Sequence, residues 1–257
     1  LKPSPLFLSI KKQFIMRNTS LPKTGLVFLL LIFFVSTSIL KAQEKTFDFG
    51  VTLNSDTFFG FYPTFQGSYG DPEKVLLTFY GIHWGGGTGA AWGNWTEFGI
   101  GASFSAGEYL TINPQLGIVN GNLLSSGALQ PSIFGDGIVP NLTANLSSDL
   151  LEGQLYFGLY APLQDKAPMG GTTLAYIHYW LNTGIKASEV FSFGAHFEHL
   201  INSGGSEIET SADVYQWIGP YIQFTHPNGG PYARFTFGTD TVDGADSFFK
   251  LTTGFTF

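Results

Sequence analysis

The sequence predicts an all-β protein: a single antiparallel transmembrane β-barrel of about 12 strands, an even number. Three observations carry this. Stretches of roughly 9 to 11 residues, the length that crosses a bilayer when tilted, alternate apolar and polar side chains from Thr46 to the last residue, Phe257. Charge is almost confined to the segments between them, whereas a soluble barrel needs polar groups over its whole outer surface. The 33 Gly and 16% aromatic content, against two Met, suit many short strands and turns rather than helices. A helical membrane protein is disfavoured because the one uninterrupted apolar run, Leu26 to Val35, is about half the ~20 residues a span needs.

That run reads as the core of a secretory signal over residues 1–42. Lys11, Lys12, Arg17 and Lys23 precede it, and Ala42 offers a small residue for cleavage before Gln43, although Leu40 departs from the small-x-small pattern. Met16 is a candidate start, which would leave residues 1–15 untranslated. The mature chain, 43–257, is then one barrel domain with no internal repeat or linker. It keeps all 19 acidic residues but six of the 12 basic ones, a net charge of −13 that disfavours nucleic acid as a partner. The absence of Cys excludes disulfides, thiolate metal sites and a lipid-anchored cysteine.

The strands follow in order. Thr46 to Asn54 sets Phe47, Phe49, Val51 and Leu53 against Asp48, Gly50, Thr52 and Asn54. Ser55 to Thr57 turn the chain, and in the next strand Phe59, Phe61 and Phe65 are assigned to one face, with Pro63 a local irregularity. Asp71 to Glu73 turn into Lys74 to Trp84, whose faces separate poorly. After the glycine-rich loop from Gly85, Trp95 to Ser105 alternates cleanly, with Phe98, Ile100, Ala102 and Phe104 opposite Glu97, Gly99, Gly101 and Ser103. Tyr109 to Val119 puts Leu110, Ile112, Leu116 and Ile118 on one side. The longest irregular region, about Asn120 to Gly137, comes next. Ile138 to Leu146 and Gln154 to Leu163 form the following pair, the latter with Leu155, Phe157, Leu159 and Ala161 outward.

Four further strands reach the terminus after loops rich in Gly, Ser and acid: Thr172 to Ile185, Val190 to Leu200, Asp213 to Thr225 and Tyr232 to Thr239. Ser247 to Phe257 is the last. Connections after even-numbered strands are mostly short, and several after odd-numbered ones are long, the asymmetry of outer-membrane barrels with tight periplasmic turns and longer outer loops. Trp84, Trp92 and Trp95 fall together at one such outer edge, where an interfacial girdle is expected.

The final stretch, LTTGFTF, Leu251 to Phe257, resembles the C-terminal strand by which Gram-negative outer-membrane barrels are recognised for assembly. LNSDTFFGFYPTF and WGNWTEFGIG are similar to blocks of an uncharacterised family of small bacterial outer-membrane proteins. The resemblance implies an outer-membrane location, lipid around the barrel, and the barrel-assembly machinery as a partner through Leu251 to Phe257. It implies no activity.

Asp48, Glu97, Glu198, Arg234 and Lys250 lie opposite the apolar stripe, hence toward the lumen, where such charges either line a water path or pair with one another. Closure brings the first and last strands together, making Lys250 with Asp48 an expected pair. Gly50, Gly99, Gly101, Gly158, Gly194, Gly238 and Gly254 share that face and are expected to leave room or ease bending. Tyr156, Tyr160 and Tyr176 would offer apolar walls with hydroxyl tips, or ordinary packing. His196 and His199, three apart on a strand, point opposite ways and cannot chelate one metal. His196, Glu198 and Ser192 share the lumen face with His178 on the adjacent strand, as a polar lining or, less favoured, a catalytic cluster. Asp240, Asp243 and Asp246 are either a weak surface cation loop or a solvated acidic loop; their spacing is not that of a helix-loop-helix calcium site. The glycine-rich loop lacks the Lys and Ser/Thr of a phosphate loop.

No cofactor, resident metal or catalytic residue is assigned. The expected function is a narrow passive channel for small solutes. The alternative is a structural or surface-interaction barrel with a plugged lumen, and a lumen or rim enzyme stands third. A barrel of about twelve strands lies between side-chain-filled eight-stranded barrels and sixteen-stranded channels, so its lumen residues decide between them.

Overall fold

A computed structural model describes residues 45–257, except 85–94, 126–130, 167–169, 207, 228–229 and 243–245. The segment expected to be a signal, the glycine-rich loop, Trp92 and Asp243 therefore lie outside the described residues. Among the described residues there are twelve strands: β1 (Thr46–Asp56), β2 (Gly60–Gly70), β3 (Val75–Trp84), β4 (Trp95–Ser105), β5 (Leu110–Gly121) and β6 (Ile133–Ser147). β7 (Leu151–Pro162), β8 (Leu174–Lys186), β9 (Phe191–Gly205), β10 (Ala212–Thr225), β11 (Tyr232–Asp240) and β12 (Ser247–Thr256) complete them. Each pairs antiparallel with its sequence neighbours, and β1 with β12 closes the barrel in the register Gly50↔Thr256 to Asp56↔Lys250. Closure leaves no free edge, which permits a sheet to stand in hydrocarbon.

Alternation sorts the side chains. On β4, Phe98, Ile100 and Phe104 are exposed, Ile100 at 66%, while Glu97 is fully buried. The same division holds on β7, with Leu155, Phe157 and Leu159 outward and Tyr156 and Tyr160 inward. Thirty-three large apolar side chains are exposed among the described residues, most of them on the outward faces of the strands, a surface that water would not tolerate and lipid would. Ring pairs such as Phe47–Phe79 and Phe49–Phe257 lie near one end of that surface.

The two ends differ. The terminal end holds Thr46, Phe257, the connections 71–74, 106–109, 148–150 and 187–190, and the facing strand ends Thr225 and Tyr232. Several of these are locked locally: Lys74 N–H donates to the Asp71 carbonyl at 3.0 Å, Ala106 N–H to the Leu110 carbonyl at 2.8 Å, and Gly107 sits at φ +104°. At the opposite, loop end lie 57–59 and the strand ends Trp84, Trp95, Gly121, Ile133, Pro162, Leu174, Gly205, Ala212, Asp240 and Ser247. β6 and β9 run further toward it than the sequence pattern predicts. At the start of β6, Asp136 is fully buried, its carboxylate accepting the backbone N–H groups of Leu123, Leu124 and Ser125 at 2.7–2.8 Å. That ties the preceding loop to the strand.

Candidate functional site

Two fully buried glutamates organise the lumen. Glu198 on β9 receives Lys250 Nζ from β12 at 2.6 Å, the Tyr215 hydroxyl from β10 at 2.8 Å and His178 Nε2 from β8 at 2.9 Å. His196 Nε2 stands 3.2 Å away. Four strands thus converge on one carboxylate, and the ion pair with its surrounding donors offsets the cost of desolvating it. Glu97 on β4 is held by neutral donors: the Tyr80 hydroxyl at 2.6 Å, Trp84 Nε1 at 3.1 Å and the Tyr160 hydroxyl, from across the lumen, at 3.2 Å. Asn141 Nδ2 in turn donates to the Tyr80 oxygen at 2.9 Å. Three donors on one carboxylate replace the hydration it loses.

Glycine makes these contacts feasible. Tyr80 stands directly opposite Gly99, Tyr221 opposite Gly194, and Tyr232 opposite Gly254. A Cβ at any of these glycines would overlap the facing tyrosine ring. The missing side chain lets each ring lie flat on the wall, and for Tyr80 and Tyr221 this delivers the hydroxyl to a carboxylate, Glu97 and Glu152 respectively. At Gly99, Gly194 and Gly254 the room a missing side chain is expected to leave in the lumen is taken up by the facing tyrosine ring. On the lipid side the same pairing recurs as Gly67 with Phe79 and Gly81 with Phe65.

The loop-end half of the lumen is filled. Asp56 ends β1 with its carboxylate accepting the backbone N–H of Phe58 at 3.0 Å, that of Phe59 at 2.6 Å, and the Tyr62 hydroxyl at 2.9 Å. Gly60, at φ +69°, restarts the chain as β2. The turn therefore folds inward. The Phe59 ring centre lies 4.7 Å from Trp84 on β3, 6.0 Å from His178 on β8 and 6.3 Å from Tyr215 on β10, and Phe58 lies 4.9 Å from Tyr215. Rings from opposite walls meet, and the gap left among them is about 30 Å³, room for about one water by volume. Two sequence expectations are overturned. Phe59 does not share the lipid face of Phe61, because Asp56 draws the turn into the lumen. Trp84 and Trp95 are buried in this constriction rather than set in an interfacial girdle, since they share the inward side with Tyr80 and Glu97.

Toward the terminal end the lumen opens into a chamber of about 440 Å³. Its walls carry amides and hydroxyls, the stacked pair Tyr156–Trp180 (centroids 4.0 Å apart), His178, His196, Arg234 and Lys250. A second space of about 330 Å³ shares Gln66, Tyr80, Gln115, Thr143 and Gln154 with it and extends to Asp48 and Thr256 at the terminal mouth.

Lys250 does not pair with Asp48. The β1–β12 stagger sets Lys250 opposite Asp56, and its ammonium goes to Glu198, whereas Asp48 is exposed at the mouth with Ser68 Oγ donating to it at 3.3 Å. Ser192 donates to Glu152 at 2.8 Å rather than joining His196, whose Nδ1 lies 2.8 Å from Asn182 Oδ1. His199 points outward, with Nε2 2.8 Å from Asp213 and Nδ1 2.9 Å from the Tyr179 hydroxyl. Tyr156 lies within reach of Tyr160, hydroxyl to hydroxyl at 3.3 Å.

In the acidic loop, Asp240 turns toward β10, accepting Gln216 N–H at 3.0 Å and Trp217 Nε1 at 3.2 Å, while Asp246 is exposed. Among the described residues no three His, Asp or Glu side chains are grouped to hold a metal ion. Sequence reasoning passed over Asp56 and Glu152, although the alternation of β1 and β7, extended by one more pair of residues, points both inward.

A family model described as a family of unknown function (DUF6733) matches residues 16–257. No curated protein matches the chain. Among solved structures, the NanC porin is 8% identical with a TM-score of 0.50, the alignment covering 80% of this chain and 98% of that one. The COG4313 outer membrane channel from Pseudomonas putida F1 is 10% identical at a TM-score of 0.50, covering 86% and 98%. At such identities the likeness is one of fold.

Proposed function

The chain belongs to a family of unknown function, DUF6733, and on that premise we propose that it is an outer-membrane barrel of a Gram-negative bacterium serving as a narrow, gated conduit for small solutes. The terminal end, with its short turns, faces the periplasm, and the loop end faces outward. The exposed Phe255 and Phe257 of the last strand are what the barrel-assembly machinery would grip. The observation that carries the reading is the polar chamber of about 440 Å³, which adjoins the terminal mouth and stops beneath the Phe58–Phe59 turn. A lumen built only for support has no need of such a water-accessible volume. The turn is the natural gate, because it is a short connection held inward by one carboxylate and by ring contacts.

The rings that meet across the lumen favour a second reading, a permanently plugged barrel. Planar-bilayer conductance of protein extracted from outer membranes separates the two. The conduit reading expects small or infrequent steps from the native chain and larger, long-lived ones from a Phe58→Ser/Phe59→Ser variant. Silence from both, with insertion demonstrated, leaves the plugged barrel.

A further inference from the structure

Arg234 on β11 is positioned as a receptor for an anion. Its Nε donates to Gln223 Oε1 at 2.8 Å, and the guanidinium carbon stands 4.9 Å from the centre of the Tyr221 ring, so the plane of the group is fixed. Tyr221 is itself pinned, donating to Glu152 at 2.7 Å. The terminal guanidinium nitrogens make no hydrogen bond, and no carboxylate forms an ion pair with them, among the described residues. Lys250 lines the same chamber beside Thr252, and among the described residues the chamber walls include neither Asp nor Glu although the mature chain is strongly acidic.

The lumen carboxylates stand behind these walls and are engaged: Glu198 by Lys250, Glu97 by three neutral donors, Asp56 by its turn. Glu152 is separated from Arg234 by Gln223, which donates to it at 3.3 Å. Charge energy falls with distance and is screened by water in the chamber, so the groups at the wall decide what the chamber prefers. A planar fork with free donors matches a carboxylate.

We propose that the chamber is a binding site for a small organic carboxylate, held by the Arg234 fork with Lys250 alongside and the amide and hydroxyl walls satisfying the rest of the molecule. This rests on the chamber being open to the terminal mouth, as in the conduit reading, but not on passage through the constriction.

Calorimetric titration of the full, membrane-extracted protein in detergent with gluconate, sorbitol and glucamine tests it, since these share one six-carbon polyol frame and differ in terminal charge. Gluconate is expected to bind at least about tenfold more tightly than the other two, with about tenfold lost in Arg234→Gln and an intermediate loss in Arg234→Lys. Heat-dependent gel mobility verifies folding, and if Arg234→Gln does not fold the Lys variant decides. Absence of gluconate binding, equal or better binding of sorbitol or glucamine, or an affinity unchanged in the folded variants overturns the proposal. Gluconate binding without conductance in any variant removes the conduit and keeps the site; conductance without gluconate binding does the reverse.

Discussion

Replacing Lys250 by Met tests the claim that Glu198 is the keystone of the lumen. The pair is 2.6 Å long, with side-chain exposures of 13% for Lys250 and 0% for Glu198. At an effective dielectric of about 20 that separation corresponds to a gross attraction of about 6 kcal/mol, much of it cancelled by desolvation. Removing the ammonium leaves a buried carboxylate that keeps His178 and Tyr215 hydrogen-bonded to it and His196 Nε2 at 3.2 Å, so the net loss falls at the lower end for broken buried pairs, about 3 kcal/mol. Glu198→Gln alone should cost less, because Lys250 can turn into the chamber it already lines. The double variant should be less damaged than the sum of the singles by at least about 1 kcal/mol, the signature of direct coupling. Folding titrations with guanidinium in lipid vesicles, read by Trp fluorescence and heat-dependent gel mobility, give all four values. Additivity within about 0.5 kcal/mol would refute the reasoning.

Other consequences are equally open to measurement. Gly99→Val should lower stability by roughly 2–3 kcal/mol by lifting Tyr80 off the wall and from Glu97, and by clearly less in a Tyr80→Ala background where no ring is in the way. An equal cost in both backgrounds would contradict the ring-on-glycine arrangement. Asp56→Ala should release the inward turn, costing about 1–2 kcal/mol in the same titration while raising bilayer conductance. Deleting Phe257 should sharply reduce the protein recovered from outer membranes, yet leave refolding into vesicles nearly intact. Comparable losses in both assays would assign the residue to stability instead of assembly.

What the sequence makes legible is what lipid enforces. Phe98, Ile100 and Phe104 against Glu97, Gly99 and Gly101 declare the two faces of β4 because one face must be apolar along its whole length, and the number and order of strands follow from repeating that test. The lumen obeys no such rule. Glu97 and Glu198 can be placed inward by alternation, but their partners depend on barrel stagger: Lys250 meets Asp56 and Glu198 because closure offsets β12 against β1, and nothing within either strand encodes that offset. Phe59 defeats a reading by alternation because the chain has left the strand there, captured by the side chain of Asp56. Trp84 could have been assigned correctly, since it lies four residues from Tyr80 on the same face. The glycine–tyrosine pairs become visible only once strands are in register, when Tyr80, Tyr221 and Tyr232 are each found facing a glycine.

The central claim is a chamber open toward the terminal end and shut at the loop end by the Phe58–Phe59 turn. The chain has no cysteine, so single thiols can be introduced without background. Thr143 lines both lumen spaces, and Thr143→Cys in vesicles of uniform orientation can be offered a small charged thiol reagent from either side. The account predicts rapid modification from the terminal side and at least about tenfold slower modification from the loop side. In a Phe58→Ser/Phe59→Ser background the two rates should become similar. Equal rates from both sides in the native turn, or no modification from either, would contradict it.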